Sequence, residues 1–134
     1  MNKKSAKEWL VKSWHHLSTA KLLFKANHYT DIIAVEIHYA SEIALKSFIA
    51  YDNSKIIKTH ELSELTKYIR NYLVFDDAQL DILDEISDYH IGESYPTPHR
   101  KLPSQEEIKK NLDFAEELFT KVCHILDVDI GDLK

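Results

Sequence analysis

Residues 36–65 read EIHYASEIALKSFIAYDNSKIIKTHELSEL, and this stretch decides the fold. Its first half, with Ile32, Ile33 and Val35 just before it, places Ile37, Tyr39, Ala40, Ile43, Ala44, Leu45, Phe48 and Ile49 on more than one helical face. A helix that is apolar around most of its circumference is buried on most sides. The spacing therefore predicts a central helix over about 30–52, with Thr30 as its cap. That helix still carries His38, Glu42 and Lys46 at successive steps of four, which sets them one above the next. A polar loop follows, and the chain restarts at Thr59-His60 with Leu62 and Leu65 behind it. A polar strip inside an apolar helix is expected here as an ion pair at the bundle edge or at a subunit contact, close to a polar site.

Working outward, glycine and proline are scarce and cluster at 92–103, and no strand-like alternation of useful length occurs. The other helices are predicted over about 5–27, 60–73, 77–90 and from 104 onward. The first is capped by Ser5 with Glu8 and has a stripe of Leu10, Trp14, Leu17, Ala20 and Phe24. The third turns Leu62, Leu65, Ile69 and Leu73 inward. The fourth is capped by Asp76 with Gln79, and the last by Ser104 with Glu107. The last has a core stripe of Ile108, Leu112, Ala115, Phe119, Val122 and Leu126. The expected fold is all-α, an antiparallel up-and-down bundle of about five helices in a single domain over 1–134. Residues 127–134 are expected to fray or to dock loosely. Trp9, Val11, Tyr39, Tyr51, Tyr68 and Tyr72 exceed what one bundle interior holds, which predicts a homodimer.

The 134 residues are 44% hydrophobic and 29% charged, the profile of a soluble globular protein. No apolar run is long enough to cross a bilayer, and the basic start is not followed by a signal-peptide core, so the expected location is cytoplasmic. A net charge of −5 argues against broad electrostatic binding to nucleic acid. The lone Cys123 excludes an internal disulfide and a cysteine metal cluster, and it falls on an apolar face as a core residue. The eight histidines do not form a metal signature. No glutamate has a histidine three positions later, His60-Glu61 does not continue into a zinc motif, and His15 and His16 diverge. Neither a metal nor a cofactor is expected. Residues 89–101 concentrate tyrosine, histidine and basic side chains in one loop, where function often resides.

The order of several short motifs resembles the HEPN family (higher eukaryotes and prokaryotes nucleotide-binding domains). Those motifs are Trp14 and Ser18-Thr19-Ala20-Lys21-Leu22-Leu23, His28-Tyr29-Thr30-Asp31, Ala40-Ser41-Glu42-Ile43-Ala44-Leu45-Lys46, Thr59-His60-Glu61-Leu62-Ser63-Glu64-Leu65 and Ser94-Tyr95-Pro96. The resemblance spans nearly the whole chain and implies a small antiparallel helical bundle. Many members are metal-independent ribonucleases, often toxins paired with a small nucleotidyltransferase. In these, an Arg-x4–6-His motif supplies a proton-transferring histidine and a charge-stabilising arginine. Neither Arg70 nor Arg100 has a histidine at that spacing. A second branch carries Arg-Tyr-Pro before the last helix, where this chain has Ser94-Tyr95-Pro96. The resemblance thus implies a non-catalytic or degenerate module, with no catalytic residues, that binds a nucleotide or a nucleotidyltransferase partner. Lys46, His60, Tyr95 and Arg100 are the residues expected to contact a ligand. One alternative is a ribonuclease with a rearranged set in the 89–101 loop (His90, His99 and Arg100), and another is a scaffold bundle with no ligand.

Overall fold

A computed structural model describes residues 1–96, 98, 101–129 and 131. Among them are five helices and no strand: α1 Lys3–Lys25, α2 Thr30–Tyr51, α3 Leu62–Thr66, α4 Asp77–Gly92 and α5 Gln105–Ile125. They form an antiparallel up-and-down bundle. α2 lies at its centre and touches each of the other four.

Fifteen of its residues are buried, including Ile33, Ile37, Leu45 and Phe48, as the all-round apolar pattern requires. α1 runs back along it: the Asn2 N–H donates to the Tyr51 carbonyl at 2.8 Å, and Ser13 Oγ donates to the Ala40 carbonyl at 2.7 Å. α5 buries Ile108, Leu112, Ala115, Phe119 and Val122, the expected stripe, together with Leu118 and Cys123. The buried apolar side chains form one continuous cluster.

Local chemistry sets the helix ends. Asp76 and Gln79 make a complete capping box, and Ser104 Oγ accepts from the Glu107 N–H at 3.1 Å. α1 starts earlier than its Ser5-Glu8 pattern indicates, because Asn2 Oδ1 accepts from the Ser5 N–H at 3.0 Å and takes the cap. Thr30 is the first residue of α2 rather than its cap; Tyr29 holds that position without a side-chain bond. The predicted third helix is shortened to Leu62–Thr66. Beyond it the backbone continues in tight turns, with Tyr68 N–H to Leu65 O and Tyr72 N–H to Ile69 O. Leu65 and Ile69 remain buried, so the apolar spacing holds although the helix does not.

At the other end of the chain, Leu126 and Val128 are buried and the Val128 N–H donates to the Cys123 carbonyl at 2.9 Å, so this start of the tail docks firmly. Several of the surplus aromatics are also used inside the chain. Tyr72 stacks on Phe48 with centroids 4.9 Å apart and donates to Asp52, while Tyr51 meets Tyr72 edge-on. Tyr68 stays exposed.

Phe48 is fully buried at the junction of α2 with the turn that follows α3. Phe48→Ala is expected to destabilise the chain by about 4 kcal/mol through lost burial and a residual cavity, measured by urea unfolding.

Candidate functional site

The charged residues of α2 meet the loop before α3 and the end of α4 at one place. Glu42 is the hub, with its side chain only 7% exposed. Lys46 Nζ donates to Glu42 Oε2 at 2.9 Å, and His60 Nδ1–H donates to Glu42 Oε1 at 2.8 Å. His38, fully buried one turn earlier, uses its Nε2–H for the His60 carbonyl at 2.9 Å and lies 3.7 Å from Glu42 Oε1. His38 thereby holds the backbone of His60 while Glu42 holds its ring. The Leu62 N–H donates to Ser87 Oγ at 2.8 Å, which ties the start of α3 to α4.

These tethers put the His60 ring face to face with that of His90 on α4. The centroids are 3.9 Å apart and the planes are 15° from parallel. His38 lies 5.1 Å from His90, and Tyr39 meets His90 edge-on. On the outer side, His60, Ser87 and His90 line a cavity of about 250 Å³ with Glu61, Asp84, Asp88 and Ile91. Asp84, Ser87, Asp88 and Ile91 share one face of α4 at steps of three and four.

Burial pushes the Glu42 carboxyl up, but hydrogen bonds from His60 and Lys46 outweigh it and hold the group below the usual carboxylate range. Burial lowers the pKa of His38 against the raising influence of its bond to the His60 carbonyl and of Glu42. His90 is lowered by burial and then by the neighbouring His60. Glu42 is therefore the anion of the cluster, and His38 and His90 are biased towards neutrality.

Of the residues expected at a site, Lys46 and His60 are brought together by Glu42. Lys46 is buried with its ammonium on that carboxylate, inside the bundle rather than at its edge. Tyr95 lines a different cavity, of about 380 Å³, with Asp31, Ile32, Gly92, Glu93 and Leu102. Arg100 and His99 lie outside the described residues. His90 belongs to α4 rather than to the loop and joins His60. Among the described residues no group of three or more His, Cys, Asp or Glu side chains could hold a metal ion, and no helix is long and apolar enough to cross a membrane.

A second polar cluster carries no one-dimensional motif. Tyr89 donates to Glu107 and accepts from Asn111 Nδ2 at 2.8 Å, and the same amide nitrogen reaches Glu85 Oε1 at 2.7 Å. Its trace in sequence is two spacings of four, Glu85 to Tyr89 on α4 and Glu107 to Asn111 on α5. Burial and Glu107 raise the Tyr89 pKa, so the phenol stays protonated and acts as a pin between α4 and α5.

A HEPN domain model matches residues 6–126. The chain belongs to the HEPN family. Among solved structures it is similar to TT1696 from Thermus thermophilus, with a TM-score of 0.78 and 21% identity over 93% of this chain and 99% of that one. It is also similar to ST0689, an archaeal HEPN homologue, with a TM-score of 0.67 and 14% identity over 96% of this chain and 98% of that one. At these identities the likeness is one of fold. Nothing among curated protein sequences matches the chain.

Glu42→Gln is expected to cost about 3 kcal/mol, because it leaves the buried Lys46 without its counter-ion, and the double change Glu42→Leu with Lys46→Met is expected to recover most of that loss. Chemical unfolding of the two variants beside the parent chain measures both. The pH dependence follows from the lowered histidines. Below the ordinary histidine value of 6.5 the unfolded chain binds more protons than the folded one, so stability is fully present above it and falls on acidification. The melting temperature is expected to drop as the pH goes from 7 to 5, and to drop less in His38→Gln.

Proposed function

We propose that this HEPN protein is a non-catalytic module that acts by binding a partner protein, and that the partner is a separately encoded small nucleotidyltransferase, in a cytoplasmic system of the toxin–antitoxin kind. The observation that supports the reading is where the charges stand. The cation on the polar strip of α2, Lys46, is bound to Glu42, and the cavity beside the histidine pair is rimmed by Glu61, Asp84 and Asp88. A ribonuclease needs positive charge where the phosphorane forms. An acidic rim repels the phosphodiester instead. Exposed Tyr29, Ile32, Ile91, Tyr95 and Leu102 supply apolar surface for the homodimer that such a module would form.

A second reading, a ribonuclease with a rearranged histidine set, is favoured by one feature. His60 is oriented through Nδ1 by a buried carboxylate while its side chain is half-exposed, the arrangement of a positioned general base.

Labelled single-stranded RNA incubated with the purified chain and EDTA separates the two. The expected result is intact RNA, indistinguishable from the His60→Ala and His90→Ala proteins. Cleavage that vanishes in either variant would establish the ribonuclease and end the non-catalytic reading. The partner is tested by co-elution with the product of a neighbouring nucleotidyltransferase reading frame.

A further inference from the structure

The cavity beside His60 and His90 combines two features that match one kind of occupant. The first is a pair of parallel aromatic rings at its edge, 3.9 Å apart and held by Glu42 and by the tie between Leu62 and Ser87. The second is unpaired negative charge. Asp84 and Asp88 are exposed, and among the described residues neither has an ion-pair partner, whereas Glu85, also on α4, is paired to Lys110 at 3.4 Å. Asp84 and Asp88 repel each other across one helical turn. Asp88 also lies one turn from the C-terminal end of α4 at Gly92, where the helix dipole disfavours an anion. Both effects work against α4 in the isolated chain, and a cation seated between the two carboxylates reverses both.

An arginine side chain fits this combination better than other groups. Its guanidinium is flat and stacks on aromatic faces, and it presents a fork of N–H donors that pairs with carboxylates. A lysine ammonium matches the charge but not the ring. A nucleotide matches the ring through its base but brings phosphate to an acidic rim.

We propose that this cavity is the seat of an arginine side chain from the partner protein. The inference rests on the reading that the module works by binding a partner, and it names the anchor of that contact. The guanidinium lies against the exposed face of the histidine pair and bridges Asp84 and Asp88. Interface arginines of this kind contribute far more than their share of area.

The test uses the ¹⁵N-labelled full chain and three probes: acetyl-Gly-Arg-Gly-amide, its lysine counterpart, and guanosine monophosphate. The arginine peptide is expected to shift the backbone amides of His60, Ser87, Asp88 and His90 saturably. The lysine peptide is expected to bind at least about threefold more weakly, because it cannot stack. The double change Asp84→Asn with Asp88→Asn is expected to weaken the arginine peptide by about tenfold, since both carboxylates are lost. His60→Ala is expected to remove the preference for arginine over lysine. Both positions altered on α4 are solvent-exposed, and unchanged amide shifts elsewhere confirm that the variants are folded.

Equal binding of arginine and lysine, no saturable shift, or occupation of the same amides by guanosine monophosphate instead would each overturn the proposal. RNA cleavage would sink the partner-binding reading while leaving the peptide titration as it stands. Co-elution with a nucleotidyltransferase, but no arginine shift, would remove the anchor alone.

Discussion

α2 gives little of itself to water: fifteen of its 22 residues are buried. It touches all four other helices, so the polar groups on its buried faces look for partners inside the bundle, and most find them, His38 Nδ1 being an exception. Glu42 is where this constraint is sharpest. A carboxylate 7% exposed is tolerable only with partners in good geometry, and it takes them from its own helix (Lys46), from the adjoining loop (His60) and, at longer range, from His38. Removing Glu42 leaves Lys46 buried without its counter-ion and His60 without the bond that orients its ring. Helix packing alone would not fix where residues 52–61 lie, since that segment has no helix of its own. Its start is held by Tyr72 on Asp52, its middle by Ile56 and Ile57 against the core, and its far end by the ring and the carbonyl of His60, both bound from α2.

The site is a consequence of these tethers. With His60 pinned from α2 and Leu62 pinned to Ser87, the loop has little freedom where it crosses α4, and the two imidazoles come together as neighbours. A charged pair at 3.9 Å would repel, and His90 is accordingly lowered by burial and by His60. His90 thus offers the cavity edge a ring biased towards neutrality, set beside carboxylates. Stability and surface chemistry are linked here through one buried residue, because loosening Glu42 would release the ring that forms the cavity edge.

The helical class, the centrality of α2 and the core stripe of α5 were legible because each rests on a period within one segment, and periodicity is a one-dimensional signal. The Asp76–Gln79 cap was legible for the same reason. What failed was whatever depends on competition between alternatives. Asn2 displaced Ser5 as a cap, and the pattern 60–73 kept its buried residues while giving up most of its helix to turns. His38, Glu42 and Lys46 were recognisable as a strip, yet their burial was underestimated, since an i,i+4 pair looks the same at an edge or in a core. The stack of His60 on His90 spans thirty positions and two elements. Neither residue has a neighbour in sequence that announces the other, and a predicted helix ending at His90 does not say what its last ring meets.

The distribution of acidic residues along α4 separates structural charge from charge held for another purpose. Asp76 and Asp77 stand at the N-terminus, where they cap the helix and complement its dipole, so folding accounts for them. Glu85 faces α5 and is bound by Asn111 and Lys110, so packing accounts for it. Asp81, Asp84 and Asp88 have neither explanation: all three are exposed, and none has a cation partner among the described residues. Local rules are usually broken at functional positions, where consistency is given up for an external contact. That Asp84 and Asp88 line the cavity beside the histidine pair, and do not face α5, is what makes it a place for a cation to arrive rather than a flaw in the helix.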